Sequence, residues 1–256
     1  MKSTILSREL LQETLDHFDE FREHMPERIV QKSMPILFFG DLKSYMVNDF
    51  KIITAALNPS DLEFKRNKEE RRFSTKFRFK DFDGSYESLE KAYSNYFKLE
   101  PYEWFGKNKN KHLDKGFKPI LNGMGYCYYP NISELKSVLH TDLCSPLATS
   151  PTWSDLSKEE KNKLIQHGYP LWKKLIKELK PNLILMSIAK KEIERLSPQF
   201  IDTIFKKNDS YKINLYNTNI DGFETKLVWG SAQNTPFQPF KNKFQLGELI
   251  RKRLID

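Results

Sequence analysis

Apolar residues recur along the chain in two spacings, which predict helices in some segments and strands in others. Between residues 7 and 25 they recur every three or four positions, the pattern of an amphipathic helix. The segments 50–57, 138–143 and 183–188 carry short apolar runs that are too short for a helix, so they are predicted as buried strands. Further strand candidates lie at 213–216 and 227–229.

Further helical stripes separate these strands. Residues 85–97 and 244–255 each predict a helix, and a long helical region precedes the third strand. Gly168 and Pro170 are expected to break or kink that region, because proline lacks the amide hydrogen that a helix interior needs. The apolar patch at 36–39 fits either a short strand or a plug in the core.

Strands that alternate with helices are typical of α/β proteins. Buried strands of this kind usually pair in parallel and are covered on both faces. We therefore predict a three-layer α/β/α fold with a mostly parallel central sheet. The chain is predicted to form one domain over residues 1–256, with an amino-terminal helix and a basic insertion near 61–118.

Composition and charge narrow the class of protein. The 256 residues are 39% hydrophobic and 13% aromatic, which is enough for a packed core. Lys and Arg number 42 against 34 Asp and Glu, and the resulting net charge of +8 suits a polyanion such as nucleic acid. Cys127 and Cys144 cannot build a disulfide framework or a four-cysteine metal site. With no signal peptide and no membrane span evident, we expect a cytoplasmic protein.

The positive charge is concentrated in the segment 65–80. Its basic residues are Lys65, Arg66, Lys68, Arg71, Arg72, Lys76, Arg78 and Lys80, with three phenylalanines interleaved. Such a loop can grip phosphates and stack on bases. Alternatively, it is a solvated face whose phenylalanines pack into the core. A lysine-rich stretch at 106–118 is a second candidate for phosphate contact.

A polar amide follows the first predicted strand. Pro59 has no amide hydrogen and restricts the residue before it, so the strand is expected to end at Asn58. The carboxyl ends of strands are where α/β proteins bind ligands. The sequence Asn-Pro-Ser is also common where a strand passes into a loop. In that case Asn58 has a structural role only.

Three short motifs and one predicted strand follow one another along the chain in an order that is informative about the family. They are Leu57-Asn58-Pro59-Ser60, His140-Thr141-Asp142, the stretch 179–189, and the run from Trp229-Gly230-Ser231 to Phe237. Over roughly residues 50–240 this arrangement resembles the uracil-DNA glycosylase superfamily. The resemblance implies an α/β/α domain that flips a base out of DNA and cleaves its N-glycosidic bond without a metal or other cofactor.

The resemblance also implies roles for individual residues. Asn58 is similar to the catalytic asparagine of the mismatch-specific and single-strand-selective branches. Trp229-Gly230-Ser231 lies where the superfamily usually has His-Pro-Ser, so the histidine that helps the base to depart is missing. Ser231, Gln233 or Asn234 is expected to supply a hydrogen bond to the base instead.

The chemistry of glycosidic cleavage agrees with a role for Asn58. Positive charge builds on the sugar and negative charge on the leaving base, so the protein must position water and stabilise both charges. The carbonyl of Asn58 can orient water at the sugar carbon. Asp61 is the alternative base, unless it caps the turn that follows.

Asp142 lies near the position at which uracil-reading relatives use asparagine. An ionised carboxylate only accepts hydrogen bonds, which suits the exocyclic amine of cytosine. The expected substrate is therefore a modified cytosine of phage DNA, which would make the protein a defence enzyme, with uracil in base-excision repair as the alternative. Asp142 could instead be a helix cap or a partner of a nearby lysine.

The remaining site predictions concern DNA contacts. Tyr126 is a candidate for stacking on the flipped base, with a buried core tyrosine as the alternative. Phe237 and Gln238 are candidates for a wedge that fills the vacated space. The complete predicted set of DNA-contacting residues is Ser60, Arg71, Arg72, Lys76, Arg78, Gln233, Phe237 and Gln238.

Two other classes of function compete with the glycosylase. A non-catalytic nucleic-acid-binding domain needs the basic loops but not Asn58. A metal-dependent nuclease needs clustered carboxylates or histidines, whereas the five histidines are scattered along the sequence. A lyase step through a lysine Schiff base has no distinguishing lysine to support it. DNA is the expected partner of a monomeric protein that contacts no membrane and no second protein.

Overall fold

A computed structural model describes residues 4–105, 116–129, 134–208, 211–230, 236–237, 240 and 242–256. Its helices are α1 (Arg8–His24), α2 (Leu42–Met46), α3 (Tyr86–Asn95), α4 (Lys118–Met124), α5 (Lys158–Leu179), α6 (Lys190–Ile193) and α7 (Lys243–Leu254). Its strands are β1 (Phe38–Phe39), β2 (Ile52–Ala56), β3 (Tyr126–Cys127), β4 (Lys136–Ser137), β5 (Leu139–Asp142), β6 (Leu183–Met186), β7 (Gln199–Lys206), β8 (Lys212–Ile220) and β9 (Phe223–Gly230). The predicted α/β class is confirmed.

Seven of the strands form one sheet in the order β1-β5-β2-β6-β9-β8-β7. Strand β6 pairs in parallel with β2 and with β9. Strand β8 pairs antiparallel with β9 and with β7. The sheet is therefore mixed, because its far side is an antiparallel meander that the sequence patterns had not predicted in full.

The chain divides into two compact units that interleave along the sequence. The first comprises Met1–Lys43, Ala56–Pro101 and Thr141–Leu179, and the second comprises Ser44–Ala55, Tyr102–His140 and Lys180–Asp256. Among the described residues, no helix combines the length and apolar character that a membrane crossing requires.

The core of the first unit forms around α1, whose prediction is confirmed. Ser7 begins the helix by accepting a hydrogen bond from the amide of Leu10. The apolar stripe then buries Phe18 and Phe21 against Leu147 and Leu164. Because α5 supplies Leu164, this cluster ties the first helix of the chain to the longest one.

Helix α5 runs without a break from residue 158 to residue 179, so of the break or kink expected at Gly168 and Pro170 the break does not occur. Pro170 lies on the exposed side of the helix. Gly168 has a packing role, since a Cβ atom there would lie 2.5 Å from the carbonyl oxygen of Cys144. The glycine thus allows close approach of the helix to the segment after β5.

The second unit is built on strand β6, all four residues of which are buried. Strand β7 was not predicted, because its apolar side chains do not alternate between a buried and an exposed face. Phe200, Ile201 and Phe205 are all exposed, and the pairing of β7 with β8 is interrupted by irregularities in register. Cys127 and Cys144 are buried and form no disulfide.

Candidate active site

The end of strand β2 and the chain after β5 run side by side in the first unit. The amide of Leu143 donates to the carbonyl of Ala56 at 2.9 Å, and the amide of Cys144 donates to that of Leu57 at 2.9 Å. Farther on, Ser60 and Thr149 form an isolated parallel bridge. These backbone contacts bring the residues around Asn58 to the same edge of the unit as the end of β5.

The side chain of Asn58 is anchored through its amide nitrogen. Nδ2 donates to the carbonyl oxygen of Leu147 and to Oγ1 of Thr149, each at 3.2 Å. Within the described part of the chain, no group donates a hydrogen bond to Oδ1 of this half-buried residue. The two anchoring bonds use both amide hydrogens, so the carbonyl oxygen is held in place as an acceptor.

Ser60 and Asp61 stabilise the loop that follows. Oγ of Ser60 accepts from the amide of Leu62 at 3.1 Å and so caps the 3₁₀ turn Asp61–Phe64, a role that the sequence had allowed for Asp61. Asp61 is buried, and its Oδ2 accepts from Nζ of Lys65 at 2.9 Å. This ion pair favours a structural role for Asp61 over that of a catalytic base.

Two buried carboxyl groups interact in the first unit. Asp142, at the end of β5, is 5% exposed, and Glu63, in the 3₁₀ turn, is 3% exposed. Burial raises the pKa of Glu63 to about 7, although a hydrogen bond from Tyr96 and the charge of Arg78 act in the opposite direction. Burial, and then the nearby charge of Glu63, raise the pKa of Asp142 well above its ordinary value. The pair is therefore protonated more readily than exposed carboxyls are.

The raised pKa of Asp142 means that this carboxyl is not limited to accepting hydrogen bonds, as the expectation of an ionised carboxylate requires. A neutral carboxyl group both donates and accepts. It can pair with N3 and the exocyclic amine of cytosine, and equally with O4 and N3–H of uracil, so Asp142 does not by itself select between them.

Glu63 was not among the residues predicted for the site. Its spacing from Ser60 has the form of a helix-capping box, in which the glutamate side chain reaches back to the amide of the capping residue. In the structure the side chain turns inward, where the hydroxyl of Tyr96 donates to its carboxylate. A carboxylate followed directly by Phe64, just before the basic segment 65–80, was the available signal.

Arg78 lies inside the basic loop and not on its surface. It is 4% exposed, and its guanidinium donates to the backbone carbonyls of Leu62, Glu63, Lys65 and Arg66. Five-donor guanidinium groups suit this task, because one side chain satisfies several carbonyls of a tight loop. Arg78 holds the loop together and is not positioned to contact phosphate.

The other residues of the tract divide between core and surface. Phe79 is buried and stacks on Phe64 and on Tyr96. Phe73 and Phe77 are half-buried beneath the cations of Lys65 and Arg66, at 4.6 and 5.4 Å from the ring centroids. The exposed basic side chains form what we call the basic face: Arg66, Lys68, Arg71, Arg72, Lys76 and Lys80. The alternative of a solvated face whose phenylalanines pack inward therefore describes the tract, and phosphate contact by the basic face stays a prediction.

The aromatic residues predicted to contact DNA belong to the second unit and are buried. Tyr126 is 2% exposed, and its hydroxyl donates to the carbonyl of Phe50 at 2.9 Å. Phe237 is fully buried, and its amide donates to Oγ of Ser187 at 2.9 Å. Neither ring presents a face for stacking or a wedge. The predicted residues Ser231, Gln233, Asn234 and Gln238 lie outside the described residues.

Two residues of the quoted motifs also have structural roles in the second unit. Trp229 donates its indole N–H to the carbonyl of Ile188 at 2.9 Å. Nδ1 of His140 lies 2.7 Å from the hydroxyl of Thr54, which in turn is 2.6 Å from that of Tyr128. Burial lowers the pKa of His140 to about 3, so its imidazole is neutral at physiological pH.

An apolar pocket in the second unit contains none of the predicted site residues. It is lined by Phe205, Lys207, Phe240, Asn242, Gln245, Leu246 and Leu249. Its lining offers one cation and two amides but no carboxylate or histidine. The candidate chemistry therefore lies around Asn58 and the buried carboxyl pair in the first unit.

Comparison with protein-family models, with curated proteins and with solved structures finds no match for this chain. Fold and site together define a mixed α/β protein with a half-buried, anchored asparagine beside a strand end, two interacting buried acids and an exposed basic face.

Proposed function

We propose that this protein is a DNA N-glycosylase that hydrolyses the bond between a pyrimidine and its sugar. The observation that carries the proposal is the anchored side chain of Asn58, whose amide nitrogen is held by Leu147 and Thr149 and whose Oδ1 is left as an acceptor. An acceptor held in a fixed direction can orient one water molecule, which is the main requirement of this hydrolysis.

In the proposed reaction, Oδ1 of Asn58 accepts a hydrogen bond from the attacking water. The water oxygen bonds to C1′ of the sugar as the bond from C1′ to the base breaks, and the bonding electron pair leaves with the base. The proton lost by the water ends on the departing base. A neutral Asp142, whose pKa is raised by burial and by the nearby charge of Glu63, donates a hydrogen bond to the base as negative charge develops there. These acids would replace the histidine that the late motif lacks.

The proposed substrate is a modified cytosine in phage DNA, which would give the protein a role in antiviral defence. Asp142 can serve cytosine in both of its protonation states, because the ionised form still accepts from the exocyclic amine. Uracil is the second candidate, because the raised pKa of Asp142 favours the neutral carboxyl, which can donate to O4. In this proposal the fold is a three-layer α/β/α domain acting as a cytoplasmic monomer on DNA.

A panel of DNA substrates tests the proposal. Duplex and single-stranded DNAs containing uracil, hydroxymethylcytosine, glucosylated hydroxymethylcytosine or no modification are incubated with untagged protein, with and without chelator, and abasic sites are scored. We expect abasic sites on a modified-cytosine DNA or on uracil DNA, unchanged by chelator, and none on unmodified DNA. Binding without abasic sites on any substrate would favour the non-catalytic DNA-binding domain. Strand cleavage that is lost in chelator would favour the nuclease.

The basic face is proposed to contact the phosphate backbone. Replacing Arg71, Arg72 and Lys76 together with glutamine should weaken DNA binding without regard to sequence, because these side chains are exposed and would release counterions. The slope of log K against log salt concentration should fall by about 2 to 3, since each lost phosphate contact contributes about 0.9. Fluorescence anisotropy at several salt concentrations measures both quantities.

The matched control removes the same charge elsewhere in the first unit. Lys158, Lys163 and Lys177 are exposed on α5, and their replacement by glutamine should leave the salt slope nearly unchanged. An equal loss of affinity in both triple variants would show that net charge, and not the basic face, determines binding.

A further inference from the structure

Two histidines and a glutamate converge between α1 and α5 in the first unit. His17 and Glu20 lie one turn apart on α1, and His167 lies on α5. Each can offer one ligand atom such that all three atoms lie within 4.8 Å of one another. Along the sequence the histidines are scattered, and 150 residues separate His17 from His167.

The buried member of this cluster has an unsatisfied nitrogen. His17 is 6% exposed, and its Nε2 has no hydrogen-bond partner within the described part of the chain. Leaving a buried polar atom unpaired is costly, so such an atom calls for an explanation. A bound metal ion would supply the missing partner.

Aromatic packing fixes the orientation of the two imidazoles. The rings of His17 and His167 are nearly parallel, with an interplanar angle of 7° and centroids 6.2 Å apart. The ring of Phe21 lies against both, at centroid distances of 4.5 Å from His17 and 5.1 Å from His167. The cluster is thus partly preorganised on two packed helices, unlike a chance grouping of exposed side chains.

We propose that His17, Glu20 and His167 form a binding site for Zn²⁺. Two imidazoles and one carboxylate are a ligand set that zinc accepts, with water in the fourth position. Calcium and magnesium prefer oxygen ligands and are disfavoured by the imidazoles. The site is separate from the proposed glycosylase chemistry and would clip α1 to α5.

Binding requires a small contraction of the cluster. Ligand atoms about 2.1 Å from a tetrahedral zinc ion lie roughly 3.4 Å apart. Glu20 and His167 are exposed and can rotate inward, while His17 is held by the core. Burial, with a smaller contribution from the charge of His167, lowers the pKa of His17 to about 4, so its imidazole is in the neutral form that binds metal.

His24 lies next to Glu20 of the site. Its Nδ1 lies 3.9 Å from Oε1 of Glu20, and both side chains are exposed. Zinc binding releases protons from imidazole ligands, so it is measured at a fixed pH of 7.5.

Titration of untagged, chelator-treated protein with ZnCl₂, in isothermal calorimetry and in competition with a chromogenic chelator, tests the site. We expect one Zn²⁺ per chain with micromolar or tighter affinity, and a rise in the thermal midpoint because the metal binds only the folded state. His167→Asn and Glu20→Gln should each weaken binding on the order of tenfold or more.

The variants are chosen so that the outcome can be interpreted. His167 and Glu20 are exposed, so their replacement should preserve folding as judged by circular dichroism, unlike replacement of the buried His17. Glu23→Gln is the matched control, since Glu23 is an exposed glutamate of the same helix outside the cluster. Failure of the wild-type protein to bind Zn²⁺, or undiminished binding by the double variant His167→Asn/Glu20→Gln, would overturn the assignment.

Discussion

Replacing Asn58 with alanine is expected to lower the rate of base release by about 10²-fold while leaving DNA affinity within about twofold. The side chain contributes one oriented acceptor, and loss of such positioning typically costs this much. The bonds from Nδ2 to Leu147 and Thr149 are intact only in asparagine. Single-turnover kinetics on the best substrate of the panel measures the rate, and anisotropy measures binding.

Two further variants distinguish the positioning of the acceptor oxygen of Asn58 from a general effect of replacing its side chain. Asn58→Asp keeps an oxygen but loses both amide hydrogens, so the acceptor is no longer anchored and the rate should fall as it does in the alanine variant. Thr149→Val removes one of the two anchors and should lower kcat roughly tenfold with KM unchanged. Wild-type rates for Asn58→Ala on a substrate that the protein cleaves would refute this role for Asn58.

Raising the pH from 4.5 to 7 is expected to destabilise the fold through Glu63. The pKa of Glu63 is raised from 4.5 to about 7 in the folded protein. In that interval the unfolded chain loses the proton while the folded chain keeps it, so the free energy of unfolding falls as pH rises. The loss is complete above pH 7 and amounts to about 3 kcal/mol.

Glu63→Gln isolates this contribution, because glutamine resembles the neutral carboxyl and can still accept from Tyr96. At pH 8 the variant should be more stable than the wild type by about 3 kcal/mol, which corresponds to roughly 6–12 °C in thermal midpoint. At pH 4 the two proteins should unfold alike. The remaining decline with pH in the variant would come from Asp142, whose raised pKa has the same sign.

Urea denaturation across this pH range provides the measurement. Glu69→Gln is the control, since Glu69 is an exposed glutamate of the same loop, and it should change stability by less than about 0.5 kcal/mol at any pH. A Glu63→Gln variant that is less stable than the wild type at pH 8 would show that the ionised carboxylate is favoured in the folded state.

The local pattern of apolar residues was sufficient to predict the elements whose buried side chains follow a single helical or strand spacing. Helix α1 and the strands β2, β5 and β6 were all predicted close to their observed bounds. The pattern failed where tertiary contacts override local preference. Helix α5 continues through Pro170, and β7 exists because it pairs with β8, although its own apolar residues are exposed.

The candidate site, too, was predictable from the sequence only in part. The strand-ending proline marked Asn58 as a polar residue at the end of a strand. Its anchors, Leu147 and Thr149, lie 89 and 91 residues later, and no local signal connects them to it. The sequence likewise counted Arg78 among the phosphate contacts, whereas the fold of its own loop buries it.

By itself, the sequence determined the α/β class, the positions of the main buried strands, the excess of positive charge and the place of Asn58 after a strand. These properties depend on local periodicity and composition. Only the tertiary structure decided which polar groups meet: the anchoring of Asn58, the proximity of Glu63 to Asp142, and the convergence of His17 with His167. The reason is physical, because burial and charge coupling depend on neighbours that are distant in sequence, and these neighbours set both hydrogen bonding and pKa.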